Sequence, residues 1–264
     1  MGNHAMSGSR IDLRRTALRR DVRAFGVWNS LGHSSVAEIF AASQLDFIAL
    51  DLEHSTISLE QSLHIMAAAQ AGGAACFPRI ASHNGEMIKR LLDSGADGII
   101  VPMVNTPEEV RQIIDWCKYP PAGRRSYGIA RAQNYGFDFP KYAEEWNARA
   151  SIVLLIESIE AVHRIDELLH FKEISGVIVG PYDMSGSMGI PGQIQDRRVT
   201  EACSKVVEAC RRHDKACATQ VVDITKETVQ QAFDDGYTFV ILSSDLFILW
   251  KWGEQVRKVT GSFR

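Results

Sequence analysis

The sequence is poor in the features that mark secreted, membrane-bound and zinc-binding proteins. It has five cysteines in 264 residues and no C-x-x-C pair, which argues against a disulfide framework or a structural zinc site. No run of about 18 apolar residues is present, and the N-terminus lacks the apolar segment of a signal peptide. We therefore expect a cytoplasmic protein that does not bind a membrane.

The sequence also lacks an excess of basic residues and a dinucleotide-binding motif near its early strands. The formal net charge is −3, whereas a nucleic-acid partner favours a basic face. No G-x-G-x-x-G turn follows the early strands, which argues against an NAD-dependent enzyme. The remaining composition, 45% apolar and 23% charged residues, is that of a globular protein. A nucleic-acid partner is therefore not expected.

The length indicates one α/β domain. A chain of 264 residues is close to the roughly 250 residues of a typical (β/α)₈ TIM barrel. Residues 1–9 are interpreted as a disordered start or a remnant of an expression vector. A short N-terminal helix is predicted over Asp12–Arg20, and residues 10–264 form the predicted catalytic barrel.

Eight short apolar runs alternate with segments of helical spacing, which predicts a parallel sheet buried on both faces. Closing this sheet gives a (β/α)₈ barrel, and an open doubly wound sheet is the alternative. Ser58, Thr106 and Thr225 are predicted helix caps, while Gly95 and Gly236 mark helix ends. The predicted strands are Phe25–Trp28, Phe47–Leu52, Ala74–Ile80, Gly98–Val104, Ile152–Glu157, Gly176–Gly180, Ala216–Val221 and Thr238–Ser243.

One long stretch, Lys118–Asn147, interrupts this alternation. It contains two consecutive prolines, several glycines and several aromatic residues. A connection of this length is more often a functional loop or lid than a spacer. We therefore predict an irregular functional loop here.

Ionisable residues follow several of the predicted strands, at the end of a barrel where active sites lie. Glu157 and Asp183 end consecutive strands, which lie about 4.8 Å apart, so the two carboxylates could share one ion. Two carboxylates with open positions suit Mg²⁺ or Mn²⁺. The alternative is that either carboxylate caps the helix that follows it.

Four further residues at strand ends are candidates for the site, three of them for catalysis. His54 lies close to Asp51 in sequence, and a carboxylate can tune a histidine as a general base. Arg79 follows a strand and could grip a substrate carboxylate, or else form a salt bridge to Asp51 or Glu53. Trp28 ends the first strand and is expected to line the mouth of the site.

Six ordered motifs resemble one family, the 4-hydroxy-2-oxo-heptanedioate aldolase and 2-dehydro-3-deoxyglucarate aldolase family of class II, metal-dependent pyruvate aldolases. The resemblance extends from about Phe25 to the end of the chain. The motifs are Asp51-Leu52-Glu53-His54, Pro78-Arg79, Val101-Pro102-Met103-Val104, Tyr119-Pro120-Pro121-Ala122-Gly123, Ile156-Glu157-Ser158-Ile159-Glu160-Ala161 and Gly180-Pro181-Tyr182-Asp183-Met184-Ser185.

The resemblance implies a role for each residue of the predicted site. Glu157 and Asp183 would hold a divalent metal (Mg²⁺, Mn²⁺ or Co²⁺), and Arg79 would steady the enolate of pyruvate. His54, paired with Asp51, would move the proton of the aldol step. The implied substrate-binding residues are Trp28, Arg79, Gly180, Pro181, Tyr182 and Asp183.

The resemblance also implies a homo-oligomer, a trimer or hexamer, whose last helix packs on a neighbouring subunit. Asp93 matches an acidic position that reaches the neighbour's site. The implied reaction is cleavage of a 4-hydroxy-2-oxo acid to pyruvate and an aldehyde through a metal-stabilised enolate. Oxaloacetate decarboxylation, a malyl- or citryl-type thioester lyase and a barrel that has lost catalysis are the alternatives.

Two positions depart from the family pattern. Leu155 stands where family members often carry glutamine, and Ser126 stands where they usually carry glycine. Neither removes a predicted metal ligand or base. Both therefore concern the identity of the substrate more than the class of reaction.

Overall fold

The computed structural model describes residues 23–264, and within them eight parallel strands close into a barrel in chain order. Each strand pairs with the next, and β8 closes on β1. The strands are β1 (Ala24–Asn29), β2 (Phe47–Asp51), β3 (Ala75–Arg79), β4 (Gly98–Val101), β5 (Ser151–Ile156), β6 (Gly176–Val179), β7 (Ala216–Val221) and β8 (Phe239–Ser244).

Helices surround the barrel and connect consecutive strands. They are α1 (Ser34–Ala42), α2 (Leu59–Ala71), α3 (Gly85–Asp93), α4 (Pro107–Cys117), α5 (Phe139–Arg149), α6 (Ile159–His163), α7 (Ile165–Leu169), α8 (Pro181–Ser187), α9 (Arg197–Arg212), α10 (Lys226–Asp234) and α11 (Asp245–Gly261), with a 3₁₀ helix over Arg131–Gly136. None of the helices in the described part of the chain combines the length and apolar character needed to cross a membrane.

The predicted (β/α)₈ barrel is confirmed, and all eight predicted strands are present with ends that differ by at most three residues. The largest difference is at β4, which ends at Val101 instead of Val104. Pro102 has no backbone N–H to continue the ladder, and Met103 has a left-handed backbone with φ of 51°. The short N-terminal helix and residues 1–9 lie outside the described residues.

The predicted helix boundaries follow their local chemistry. Ser58 and Thr106 each accept the backbone N–H three residues on, and each forms a capping box. Thr225 caps α10 in the same way. Gly95 and Gly236 have φ near 100°, a conformation that glycine adopts without the steric cost of a side chain. These turns return the chain to the start of the next strand.

The stretch Lys118–Asn147 is not an irregular lid, as the sequence suggested. It contains the 3₁₀ helix and most of α5. It connects the end of α4 to the start of β5, and therefore lies at the N-terminal end of the strands, opposite the expected active site. The prediction of irregular structure was wrong, and a functional role for this stretch stays a prediction. Its place could not be predicted, because sequence spacing does not show on which face of a barrel a connection lies.

Candidate active site

The site is built from the alternation of side chains along the strands. Inward-facing residues fill the barrel with a buried core that includes Phe77, Val153 and Leu155. Since side chains in a strand point alternately to its two faces, the next inward positions after this core are Asp51, Arg79 and Glu157. These three polar side chains therefore stand at the C-terminal mouth of the barrel.

Arg79 is held between two carboxylates. Its Nε donates to Asp51 Oδ1 at 3.0 Å, its Nη2 lies 2.9 Å from Asp51 Oδ2, and its Nη1 lies 3.2 Å from Glu53 Oε2. Its guanidinium carbon lies 4.5 Å from the centre of the Trp28 ring, close enough for a cation–π interaction. The salt-bridge alternative for Arg79 is thus realised, and it leaves the guanidinium rigidly oriented over the cavity.

Asp51 is held ionised by its neighbours. It accepts the backbone N–H groups of Glu53 and His54 at 3.0 and 3.2 Å. Burial opposes its ionisation, but the hydrogen bond and charge of Arg79, together with those N–H groups, outweigh burial and lower the pKa of this carboxyl. Asp51 therefore serves the structure as an acceptor for Arg79 and for the strand-end turn.

The expected pairing of the His54 side chain with Asp51 is not what the structure shows. His54 contacts Asp51 through its backbone N–H. Its imidazole is 70% exposed, with Nε2 3.9 Å from Glu53 Oε2. The reason is local: the turn after β2 directs its amides at Asp51 and its imidazole outward, while Arg79 occupies the carboxylate oxygens. The His54 ring still lines the cavity.

Glu157 is a buried carboxyl among other carboxylates. Its Oε2 accepts the backbone N–H of Met103 at 3.1 Å. Burial is the largest influence and, with the charges of Glu53 and Asp183, raises the pKa of Glu157 to about 7. Burial likewise raises the pKa of Glu53. Negative charge is therefore concentrated here beyond what the single guanidinium neutralises.

Only one of the two candidate metal ligands fits the helix-capping alternative. Ser158, not Glu157, caps α6, and its Oγ accepts the N–H of Ala161. Asp183 lies in the first turn of α8 and is exposed. Its negative charge can stabilise the N-terminus of this helix, and the residue also lines the cavity. Glu157 has no such structural role in α6.

A cavity of about 530 Å³ brings the predicted site residues together. Its lining includes every predicted residue except Asp93, namely Trp28, Asp51, His54, Arg79, Glu157, Gly180, Pro181, Tyr182 and Asp183. Sequence reasoning missed other lining residues, among them Ser30, Ile178, Gln220, Ser244, Leu246 and Phe247, and did not assign a place to Trp250. It did connect Leu155 with the identity of the substrate, and Leu155 lines the cavity. For the residues after β8, the sequence gives one signal, which is that they directly follow a barrel strand in the chain.

Asp93 lies away from this cavity. It is the last residue of α3, and its Oδ1 lies 2.6 Å from Nη2 of Arg125. The Arg125 side chain is fully buried and stacks over Tyr119 and Trp146 at 4.7 and 4.9 Å. Asp93 therefore binds an internal arginine in its own chain, and its role in a neighbour's site stays a prediction.

The donor set at the cavity suits a hard divalent cation. Glu157 and Asp183 offer carboxylate oxygens, which Mg²⁺ and Mn²⁺ prefer, and burial, with the charges of Glu53 and Asp183, raises the pKa of Glu157. Gly180 makes room for Glu157, because a Cβ at this position would lie 2.9 Å from Glu157 Cγ. Within residues 23–264, no three His, Cys, Asp or Glu side chains form a metal-holding group.

Comparison with known proteins agrees with the fold and identifies named relatives. A hydroxypyruvate/pyruvate aldolase of Roseobacter denitrificans is 29% identical over 234 residues, which cover 88% of this chain and 90% of that relative. A 2-keto-3-deoxy-L-rhamnonate aldolase of Salmonella dublin is 31% identical over 236 residues, which cover 88% and 86%.

A solved structure shares the same fold. It is an HpcH/HpaI aldolase/citrate lyase family protein from Burkholderia cenocepacia, 24% identical, and it superimposes with a TM-score of 0.87 over 94% of this chain and 98% of that one. The family model described as HpcH/HpaI aldolase/citrate lyase matches residues 24–251. The chain therefore belongs to the HpcH/HpaI aldolase/citrate lyase family and is an enzyme of the carbon–carbon lyase class.

Proposed function

We propose that the enzyme is a divalent-metal-dependent pyruvate aldolase that cleaves a 4-hydroxy-2-oxo acid to pyruvate and an aldehyde. The observation that carries the proposal is the grouping of four carboxylates around one guanidinium at the barrel mouth, Asp51, Glu53, Glu157 and Asp183 around Arg79. A 2-oxo acid that forms an enolate needs positive charge at its oxygens. The aldolase names of the two relatives support the same reaction.

Glu157 and Asp183 are the proposed metal ligands. A divalent ion held there would bind the 2-oxo acid and stabilise the negative charge of its enolate. Asp51 orients Arg79 through two contacts of 3.0 and 2.9 Å, and the guanidinium has five N–H groups, so those that do not contact Asp51 or Glu53 are the ones proposed to bind the substrate oxygen. The substrate-binding assignment of Gly180, Pro181, Tyr182 and Asp183 rests on their place in the cavity wall.

His54 is the proposed proton carrier. Its imidazole lines the cavity and is 70% exposed, so the ring can turn toward a substrate oxygen. In cleavage, the 4-hydroxyl loses its proton to the base, the C3–C4 electron pair becomes the enolate of pyruvate, and the aldehyde carbonyl forms. The enolate carbon then takes up a proton to give pyruvate, and the addition reaction is the reverse.

The test is pyruvate release from a panel of 4-hydroxy-2-oxo acids, coupled to lactate dehydrogenase. After EDTA treatment, release should stop, and Mg²⁺, Mn²⁺ or Co²⁺ should restore it. Glu157→Gln and Asp183→Asn should abolish the metal-restored rate while circular dichroism shows an unchanged fold. Folded wild-type enzyme that releases no pyruvate with any metal would refute the proposal.

A second candidate shares the same cavity. The family description names citrate lyase beside the aldolases, so oxaloacetate decarboxylation and the cleavage of malyl- or citryl-type thioesters belong in the same assay panel. Among the cavity-lining residues of the described chain, Arg79 is the only lysine or arginine, and a long nucleotide-bearing thioester favours more positive charge. We therefore rank the aldol reaction first.

A homo-oligomer, a trimer or hexamer, is the proposed assembly. On α11, Ile248 and Leu249 are exposed and do not line the cavity, and exposed apolar residues grouped on one helix favour a protein interface. Light scattering coupled to size-exclusion chromatography measures the mass directly. A monomeric mass of active enzyme would refute this assembly.

A cytoplasmic location is proposed from the state of the thiols. Burial raises the pKa of Cys117 to about 12 and the pKa of Cys203 to about 11, so these thiols are protonated and unreactive. Such buried thiols are typical of proteins of reducing compartments. Fractionation of cells that produce the protein tests the location.

A further inference from the structure

The cavity has two chemically different halves. The charged half comes from the ends of β2, β3 and β5 and from the start of α8. The other half comes from the junction of β8 with β1, where Trp28 pairs in register with Ser244. Directly after Ser244, the first turns of α11 add Leu246, Phe247 and Trp250 to the wall. These side chains are apolar or aromatic.

The floor of the cavity is also apolar. Leu155 and Ile178 are partners in the register of β5 and β6, and they are only 3% and 4% exposed. They are the inward residues below Glu157 and Gly180. Leu155 therefore places no hydrogen-bonding group beneath the substrate.

Two of the polar side chains beside the apolar wall, Ser244 and Asp245, are already engaged. Ser244 Oγ accepts the N–H of Phe247 at 3.1 Å. The buried carboxylate of Asp245 accepts the N–H of Ser30 at 2.9 Å and Nδ2 of Asn29 at 3.0 Å. This network ties the start of α11 to the end of β1, and so holds the aromatic wall in a fixed position.

The apolar half also lacks a cation for a charged substituent. Among the lining residues of the described chain, Arg79 is the only lysine or arginine, and its nitrogens face Asp51 and Glu53. A carboxylate or phosphate on the aldehyde would lose water without gaining a cation from these lining residues, which carries a cost. A flat or bulky apolar group would instead gain from burial against the rings.

We propose that the aldehyde product of this enzyme carries an apolar substituent, which lies against Phe247, Trp250 and Leu155. This inference rests on the proposed aldolase reaction and names the substrate class at that site. In the addition direction, the enolate carbon of pyruvate bonds to the aldehyde carbon, and the carbonyl electron pair moves to oxygen. That oxygen takes up a proton equivalent to the one lost by pyruvate.

The reaction is tested first without any aldehyde. The exchange of the pyruvate methyl protons for deuterium, measured by NMR in the presence of Mg²⁺ or Mn²⁺, reports enolate formation alone. Exchange that is absent from folded wild-type enzyme overturns the proposed function. Exchange that is present makes the aldehyde experiment a test of the substrate class only.

The aldehyde experiment compares benzaldehyde and cyclohexanecarbaldehyde with glyceraldehyde and succinic semialdehyde as acceptors for pyruvate. We expect kcat/KM for both apolar acceptors to exceed that for both polar ones by at least about tenfold, the scale on which apolar pockets discriminate. Trp250→Ala, and in a separate variant Phe247→Ala, should reduce this ratio by about fivefold or more. We compare the ratio of kcat/KM for apolar acceptors to kcat/KM for polar acceptors, because differences in the active fraction of the enzyme preparations cancel in this ratio.

Trp252→Ala is the matched control. Trp252 is on the same helix and is exposed to a similar extent, 63% against 59% for Trp250, but it does not line the cavity. Its ratio should stay within about twofold of wild type, because two residues along a helix is about 200° around its axis. A wild-type preference for the polar acceptors, or an equal change of ratio in Trp250→Ala and Trp252→Ala, overturns the inference.

Discussion

Raising the pH should destabilise the metal-free protein through Glu157. Burial, with the charges of Glu53 and Asp183, raises the pKa of this carboxyl from an ordinary 4.5 to about 7. In the unfolded chain the pKa of this carboxyl is near its ordinary value of 4.5. Between pH 4.5 and about pH 7, the folded protein therefore holds a proton that the unfolded chain releases. The stabilisation is therefore complete below pH 4.5 and is lost as the pH rises through 7. A rise from 4.5 to about 7 corresponds to at most about 3 kcal/mol.

Urea denaturation of EDTA-treated enzyme, followed by circular dichroism from about pH 5 to pH 8, measures this loss. With a slope of about 3 kcal/mol per molar urea, the midpoint should fall by up to about 1 M. Glu157→Gln has nearly the same shape but cannot ionise, so its midpoint should change less. The raised pKa of Glu53 acts in both proteins and cancels in the comparison. Parallel losses of stability in wild type and variant would refute the assignment.

Four further predictions concern the proposed metal site, Arg79, Gly180 and Arg125. Mg²⁺ should raise the unfolding midpoint more at about pH 8 than at about pH 6, because the ion meets an ionised Glu157; equal shifts measured by thermal denaturation would contradict this. Arg79→Lys should lower kcat by about 100-fold or more in the pyruvate-release assay, since lysine lacks the fork that spans two carboxylates. Gly180→Ala should weaken Mg²⁺ binding about tenfold by calorimetry, because its Cβ would lie 2.9 Å from Glu157 Cγ, whereas Gly186→Ala meets nothing within 4 Å. Arg125→Met should cost about 1–3 kcal/mol of unfolding free energy, because it leaves the carboxylate of Asp93, which is 25% exposed, without its buried partner; an unchanged unfolding free energy would contradict that pairing.

The barrel could be predicted because its strands are apolar on both faces. Ile152 to Ile156 show the point: Val153 and Leu155 face the barrel interior, while Ile152, Leu154 and Ile156 face the helices. A strand buried on both sides is a continuous apolar run, so its limits are visible in the sequence. The stretch Lys118–Asn147 has no such run, and its two helices depend on contacts such as Trp146 Nε1 to Cys117 O at 2.8 Å. Those contacts join residues distant in the chain and are not visible in a local pattern.

The charged half of the site could be predicted for a related reason. Asp51, Arg79 and Glu157 continue the inward alternation of their own strands, so their side chains must reach the mouth of the barrel. The His54 side chain could not be placed, because its direction depends on a turn in which the backbone N–H already satisfies Asp51. Asp93 could not be placed either, since its partner Arg125 is 32 residues away.

The apolar half was missed because its residues act as a group only in three dimensions. Phe247 and Trp250 belong to a helix whose sequence also exposes Ile248, Leu249 and Trp252, so composition alone does not separate the cavity face from the outer face. The closure of β8 on β1 separates them, because it directs one side of the first turns of α11 at the barrel mouth. The charged half and the apolar half thus lie on different elements of one barrel. Substitutions after β8 can change which aldehyde is accepted while β2, β3 and β5 keep the groups proposed to form and stabilise the enolate.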